Sequence, residues 1–60
     1  MTQKDFTTIV TNKREALDLT QIEFAKKIGV SWFTVLRWEH GRMMPKPDAL
    51  RFWVERIKNV

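Results

Sequence analysis

The titratable side chains of this sequence are mostly basic, and their types and spacing do not build a catalytic or metal-binding group. Eleven Lys and Arg stand against seven Asp and Glu, which gives a formal net charge of +4. His40 is the single histidine and cysteine is absent, which excludes a zinc site, a disulfide and a nucleophile paired with a base. We therefore expect no enzyme, no metal and no cofactor. The positive balance suits a polyanionic partner.

The length limits the fold to one small domain. A chain of 60 residues buries about 60% of the surface of its unfolded form, so we expect a single domain, 1–60, with a marginal core. Three Trp and four Phe supply dense packing, and a second subunit is the other source of stability. The N-terminal MTQKDF is polar, and no apolar run approaches the ~20 residues of a membrane span. We expect a cytoplasmic protein without membrane contact.

The first two helices are separated by a helix-start signal near the middle of an apolar-periodic stretch. Thr20-Gln21-Ile22-Glu23 has the pattern of a capping box, in which Thr20 and Glu23 each bond the backbone amide of the other. This signal predicts a first helix over about residues 4 to 17 and a short second helix over about residues 21 to 28.

Two glycines and a serine mark the bounds of the third helix. Gly29 lies where a left-handed C-terminal cap of the second helix is needed, and Ser31 can cap a helix over about residues 32 to 40. Gly41 closes that helix. The short connection from Ile28 to Ser31 predicts a helix-turn-helix.

The fourth helix follows a loop that contains two prolines. Pro45 and Pro47 each disfavour helix in the preceding residue, and Pro47 suits the first position of a helix over about residues 47 to 58. Val and Ile fall at helical spacings and never in a period-2 run. The fold class is therefore predicted to be all-α with four helices. The expected common core of the helix-turn-helix consists of Phe24, Ile28, Val30, Val35 and Trp38.

The stretch LTQIEFAKKIGVSWFTVLRWEHG resembles the signature of the phage-repressor and Cro superfamily, over about residues 14 to 57. The matching elements are Leu19-Thr20-Gln21, Phe24-Ala25, Ile28-Gly29-Val30-Ser31, Val35, Trp38-Glu39-x-Gly41 and the Pro47-led helix carrying Leu50. The resemblance implies a lambda-repressor-like domain of a transcriptional regulator that binds double-stranded DNA. It also implies an ion pair between Arg14 and Glu39, for which two solvated surface charges are the alternative.

In a helix-turn-helix the third helix enters the major groove and the second crosses the backbone. At ~100° per residue the third helix points Val35 and Trp38 inward. Arg37 on its outer side suits a guanine, with a plain phosphate contact as the equal alternative. The candidate base contacts are Ser31, Trp32, Phe33, Thr34, Leu36 and Arg37. Gln21, at the start of the second helix, suits a phosphate. The candidate phosphate contacts are Thr20, Gln21, His40, Arg42, Lys13 and Lys46.

The outward face departs from the family pattern, which usually has Gln, Ser, Thr, Arg or Asn at the positions of Trp32 and Phe33. An apolar face formed by Trp32, Phe33 and Leu36 can touch thymine methyl groups, but such a patch is also typical of a protein contact. A protein-interaction module on the same fold is therefore the alternative function. A homodimer is a further hypothesis, with Phe52, Ile57, Val60 or the Met43-Met44 loop as its interface.

Overall fold

The computed structural model describes all 60 residues and contains four α-helices and no strand. In chain order they are α1 (Gln3–Ala16), α2 (Gln21–Ile28), α3 (Trp32–Glu39) and α4 (Pro47–Lys58). The predicted all-α class and all four helices are confirmed, with each end within one residue of its predicted position. No helix is both long and apolar enough to cross a membrane.

Helix α1 begins and ends one residue earlier than predicted. It begins early because Thr2 and Asp5 form a second capping box, in which the Thr2 hydroxyl and the Asp5 carboxylate each accept the other's backbone N–H at 3.1 Å. This bond to the Thr2 amide lowers the pKa of Asp5. The chain leaves the helix at Leu17, and Asp18 then takes a left-handed φ of 56°.

The predicted boundaries of the helix-turn-helix are confirmed to within one residue. The Thr20 hydroxyl accepts the Glu23 amide at 3.1 Å, and the Glu23 carboxylate accepts the Thr20 amide at 2.8 Å. Gly29 ends α2 with a φ of 86°, which costs glycine less than a residue with a Cβ. Ser31 caps α3 by accepting the Thr34 amide at 3.2 Å. Helix α3 stops at Glu39, one residue before the prediction.

All the buried residues are apolar, and all four helices contribute to them. They are Phe6, Val10, Phe24, Ala25, Ile28, Val35, Trp38, Val54 and Ile57. Trp38 lies at the centre of an aromatic row, with its ring 5.1 Å from that of Phe6 and 5.5 Å from that of Trp53, both edge to face. Each such contact contributes ~0.5–1.5 kcal/mol beyond burial.

Two expectations about the apolar residues need correction. Val30 packs against the core but is only half-buried, because it lies in the turn, where no helix covers its outer side. Ile57, one of the residues suggested for a subunit interface, is completely buried. It faces inward with Val54 on α4, so it offers no surface to a second subunit.

Two side chains join helix α4 to the rest of the domain by donating hydrogen bonds to carbonyl oxygens at the ends of helices. Arg56 Nε donates to the Ile28 carbonyl at 2.6 Å, and this bond joins α4 to the helix-turn-helix. Lys13 Nζ donates to the Lys58 carbonyl at 3.0 Å. These bonds satisfy carbonyl groups at the C-terminal ends of α2 and α4, which have no partner within their own helices.

Candidate nucleic-acid interface

Helix α3 has two chemically different faces. Val35 and Trp38 are buried in the core, whereas Trp32 is 46% and Phe33 52% exposed. Thr34 and Leu36 are half-buried, and Ser31 is exposed at the start of the helix. The six candidate base contacts therefore lie on or beside the solvent-facing side of one helix.

Arg37 lies against Phe33 on this outward face. The two residues are one helical turn apart, and Arg37 Cζ is 4.3 Å from the centroid of the Phe33 ring. This is a cation–π contact, and at an exposed site it contributes ~0.5–1 kcal/mol. The Trp32 ring lies beside the same phenylalanine, with 6.4 Å between the ring centroids. The outward face therefore presents two neighbouring aromatic rings, with one guanidinium over the ring of Phe33.

Arg14 and Glu39 form a bidentate salt bridge that joins α1 to the end of α3. Arg14 Nε donates to Glu39 Oε2 at 2.6 Å and Nη2 donates to Oε1 at 3.0 Å. Arg14 Nη1 also donates to the Leu19 carbonyl at 3.0 Å. The side chains are only 19% and 7% exposed. The hydrogen bond to Glu39 raises the pKa of Arg14, so the arginine stays charged. The two parallel N–H···O bonds fix the position of one side chain relative to the other.

The candidate phosphate contacts at the start of α2 are engaged within the domain. Gln21 is half-buried and its Nε2 donates to Glu39 Oε1 at 3.2 Å. The Thr20 hydroxyl caps the helix, and the hydrogen bond from the Thr20 amide lowers the pKa of Glu23. Because Gln21 is the first residue of α2, its bond to Glu39 joins the start of α2 to the end of α3.

The remaining phosphate candidates are divided between two places. Exposed His40 and Arg42 share an open groove on the outward face, whose lining residues are Phe33, Leu36, Arg37, His40 and Arg42. Lys46 is the exposed N-cap residue of α4 and its side chain makes no capping bond. Lys13 instead lies against the C-terminus of α4, where Lys58 accepts its N–H. The structure therefore brings Lys13 to α4 and not to the groove, because a carbonyl at the helix end attracts its ammonium.

Three side chains that hold the site in place were not predicted. Thr7 Oγ1 donates to the Trp38 carbonyl at 2.7 Å, which bonds the last turn of α3 to α1. Gln3 Nε2 donates to the Met43 carbonyl at 2.8 Å and so holds the loop after α3. Arg56 bonds the end of α2. Each links residues that are far apart in sequence, and no local pattern indicates such a bond.

Comparison with protein families gives a match over most of the chain. A family model described as helix-turn-helix matches residues 11–57. This range includes the end of α1, the whole of α2 and α3 with the turn between them, and nearly all of α4. No curated protein and no solved structure matches the chain.

Proposed function

The chain belongs to this helix-turn-helix family, which is of the phage-repressor and Cro type, and from that premise we propose that it binds double-stranded DNA with sequence specificity. Members of the family are DNA-binding domains of the transcription-regulator type. We propose the role of a repressor, an autoregulator or an antitoxin-type regulator, which acts on DNA in the cytoplasm. The major groove is the proposed site for the outward face of α3.

The observation that carries this proposal is the exposed face of α3. It presents Trp32, Phe33 and Arg37 to solvent while Val35 and Trp38 anchor the opposite face in the core. The groove beside it adds His40 and Arg42. Base edges are read by side chains on a rigid helix, and phosphates are bound by the cations around it. The proposed phosphate contacts are Thr20, Gln21, His40, Arg42 and Lys46.

A salt titration with a random-sequence duplex tests the proposal. Because the binding of cations to phosphates releases counterions, we expect affinity to fall steeply between low and moderate salt. Selection from a random DNA pool then identifies the preferred site. Affinity that does not fall with salt, together with no enriched sequence, would contradict the proposal.

Two substitutions separate base reading from backbone binding. Arg37→Ala is expected to relax preference at one base position, whereas Gln21→Ala is expected to weaken binding to all duplexes alike. Unfolding by urea is the control for Gln21→Ala, because Gln21 also bonds Glu39. If Arg37→Ala instead lowers the affinity for all duplexes by the same factor, Arg37 contacts a phosphate and not a base.

The second candidate function is a protein-interaction module, and the exposure of Trp32 and Phe33 favours it. Two large aromatic side chains that face solvent on adjacent positions are typical of an interface. Such a module would bind its partner through Trp32, Phe33 and Leu36 and would bind duplex DNA weakly or not at all. The salt titration distinguishes the two functions.

A homodimer is proposed through α4. Phe52 is 60% exposed, and its neighbours Arg51 and Glu55 form an exposed ion pair at 3.4 Å. A two-fold axis beside Phe52 would bring Arg51 of each copy near Glu55 of the other, as a self-complementary patch requires. Sedimentation at high micromolar concentration, with and without DNA, tests this. A monomer under both conditions would exclude the dimer, and Phe52→Glu is expected to dissociate it.

A further inference from the structure

Phe33 and Arg37 are already paired in the free protein. Arg37 Cζ lies 4.3 Å from the centroid of the Phe33 ring, and both side chains are exposed on α3. Arg37 takes part in neither of the two salt bridges of the chain. The contact occupies one of the two faces of the Phe33 ring and leaves the N–H donors of the guanidinium without an acceptor. The pair is therefore an arginine held in position with its donors available.

An arginine held in this way loses less rotamer entropy when it binds an acceptor. Its fork of N–H donors matches two acceptors side by side, and in the major groove guanine offers O6 and N7 in that arrangement. The same groove of the protein has an apolar part beside the guanidinium, formed by Phe33 and Leu36. The apolar group that a base pair presents in the major groove is the methyl at C5 of thymine.

We infer that Phe33 and Arg37 read one two-base step, a guanine beside a pyrimidine that carries a 5-methyl group. Arg37 donates to O6 and N7 of the guanine, while Phe33 and Leu36 cover the methyl. Because the two side chains touch each other, the two bases they read are neighbours in the stack. This inference rests on the proposed function and adds to it the chemistry of the recognised bases. Thymine and 5-methylcytosine both supply the methyl, and the experiment separates them.

The test uses the full chain and the duplex that it selects from a random pool. Each thymine of the site is replaced singly by uracil, which keeps every hydrogen-bonding group of the base and removes only the methyl. We expect a loss of affinity of about fourfold at one thymine beside a guanine, the value for burial of one methyl-sized group. Where the selected site has cytosine there, 5-methylcytosine is expected to strengthen binding about fourfold.

Variants assign the effect to the pair. In Phe33→Ala the uracil penalty at that position is expected to disappear. Ile22→Ala is the matched control, because Ile22 is an apolar side chain with the same exposed fraction as Phe33, 52%, on a different helix, and it should keep the full penalty. Arg37→Lys retains the charge but not the fork, so it should lower the preference for guanine about tenfold and leave the uracil penalty in place.

Two results overturn the inference alone. One is binding to the selected duplex that tolerates uracil in place of every thymine and is not strengthened by 5-methylcytosine beside any guanine. The other is a full uracil penalty in Phe33→Ala. A chain that enriches no sequence and shows no salt-dependent binding overturns the proposed function as well, as expected if the face binds a protein. Circular dichroism checks that each variant keeps its helices. We expect that it does, because all three substituted side chains are exposed.

Discussion

The C-terminal end of α3 is bonded to two other helices, whereas its N-terminal end is bonded only within itself. At the C-terminal end α1 supplies Thr7 and Arg14, and α2 supplies Gln21, which together bind Trp38 and Glu39. At the N-terminal end the only side-chain bonds of the cap join Ser31 and Thr34, three residues apart. The helix is thus held at one end, so that the side chains at the other end stay available to a partner.

The largest expected effect comes from breaking the hydrogen bonds at the C-terminal end of α3. Glu39→Ala removes both carboxylate acceptors of the half-buried Arg14 guanidinium, which keeps only the Leu19 carbonyl. We expect a loss of about 2–3 kcal/mol in the free energy of unfolding. Urea unfolding at low temperature measures it. Glu55→Ala is the matched control, because it removes the exposed Arg51–Glu55 pair and should cost less than about 0.5 kcal/mol. Equal losses would mean that the Arg14–Glu39 pair stabilises the C-terminal end of α3 no more than an exposed ion pair would.

A substitution at the N-terminal end of α3 should leave the stability of the fold almost unchanged and weaken the binding of DNA. Trp32→Ala removes a ring that is 46% exposed, so the free energy of unfolding should change by less than about 0.5 kcal/mol. DNA affinity should fall about tenfold, the equivalent of ~1.4 kcal/mol, as measured by fluorescence anisotropy of a labelled duplex. Unchanged DNA affinity with loss of a protein partner would assign this end to the second candidate function.

The glycines on either side of α3 offer a sharper comparison of the two ends. Gly29 has a φ of 86° and Gly41 a φ of 69°, so alanine at either position should cost about 1 kcal/mol in the free energy of unfolding. A Cβ on Gly29 would lie 3.6 Å from Arg56 Nη2, an ordinary contact, and a Cβ on Gly41 would meet nothing. Chemical denaturation should therefore give similar values. A clearly larger loss at Gly29 would show that the turn before the N-terminal end of α3 is the more tightly packed.

The smallest expected effect is the pH dependence of the capping box of α2. Its hydrogen bond to the Thr20 amide lowers the pKa of Glu23 below the ordinary value of 4.5. The stabilisation is therefore complete above that value and is lost as pH falls through the lower pKa of the folded state. Glu23→Gln keeps an oxygen acceptor but does not titrate, so its urea midpoint should fall less than that of the wild type between about pH 5 and pH 3. Parallel curves for both proteins would contradict this assignment.

Local features of the fold could be predicted because each depends on a few neighbouring residues. The Thr20 capping box, the left-handed Gly29 and Pro47 at the start of α4 are examples. The Thr2–Asp5 box carried the same type of signal and was missed, because α1 was assumed to begin at residue 4. The left-handed Asp18 had no such signal, since aspartate adopts that conformation only occasionally.

The site was less predictable than the fold, because its supporting bonds join distant parts of the chain. The resemblance implied the pair of Arg14 and Glu39, but nothing indicated that Gln21 would join the same carboxylate. No local pattern indicated that Lys13, a candidate phosphate contact, would donate to the Lys58 carbonyl at the end of α4. The contact of Phe33 with Arg37, four residues apart, follows a helical spacing and was available in the sequence.

The unequal burial of the indole side chains gives the protein its own optical probes. Trp38 is 3% exposed and Trp32 is 46% exposed, so the former emits from an apolar surrounding and the latter mostly from water. A soluble quencher such as iodide should reach the exposed ring first and the buried ring only after unfolding. Emission from an unlabelled sample, to which the half-buried Trp53 also contributes, can therefore report both occupancy of the outward face and opening of the core.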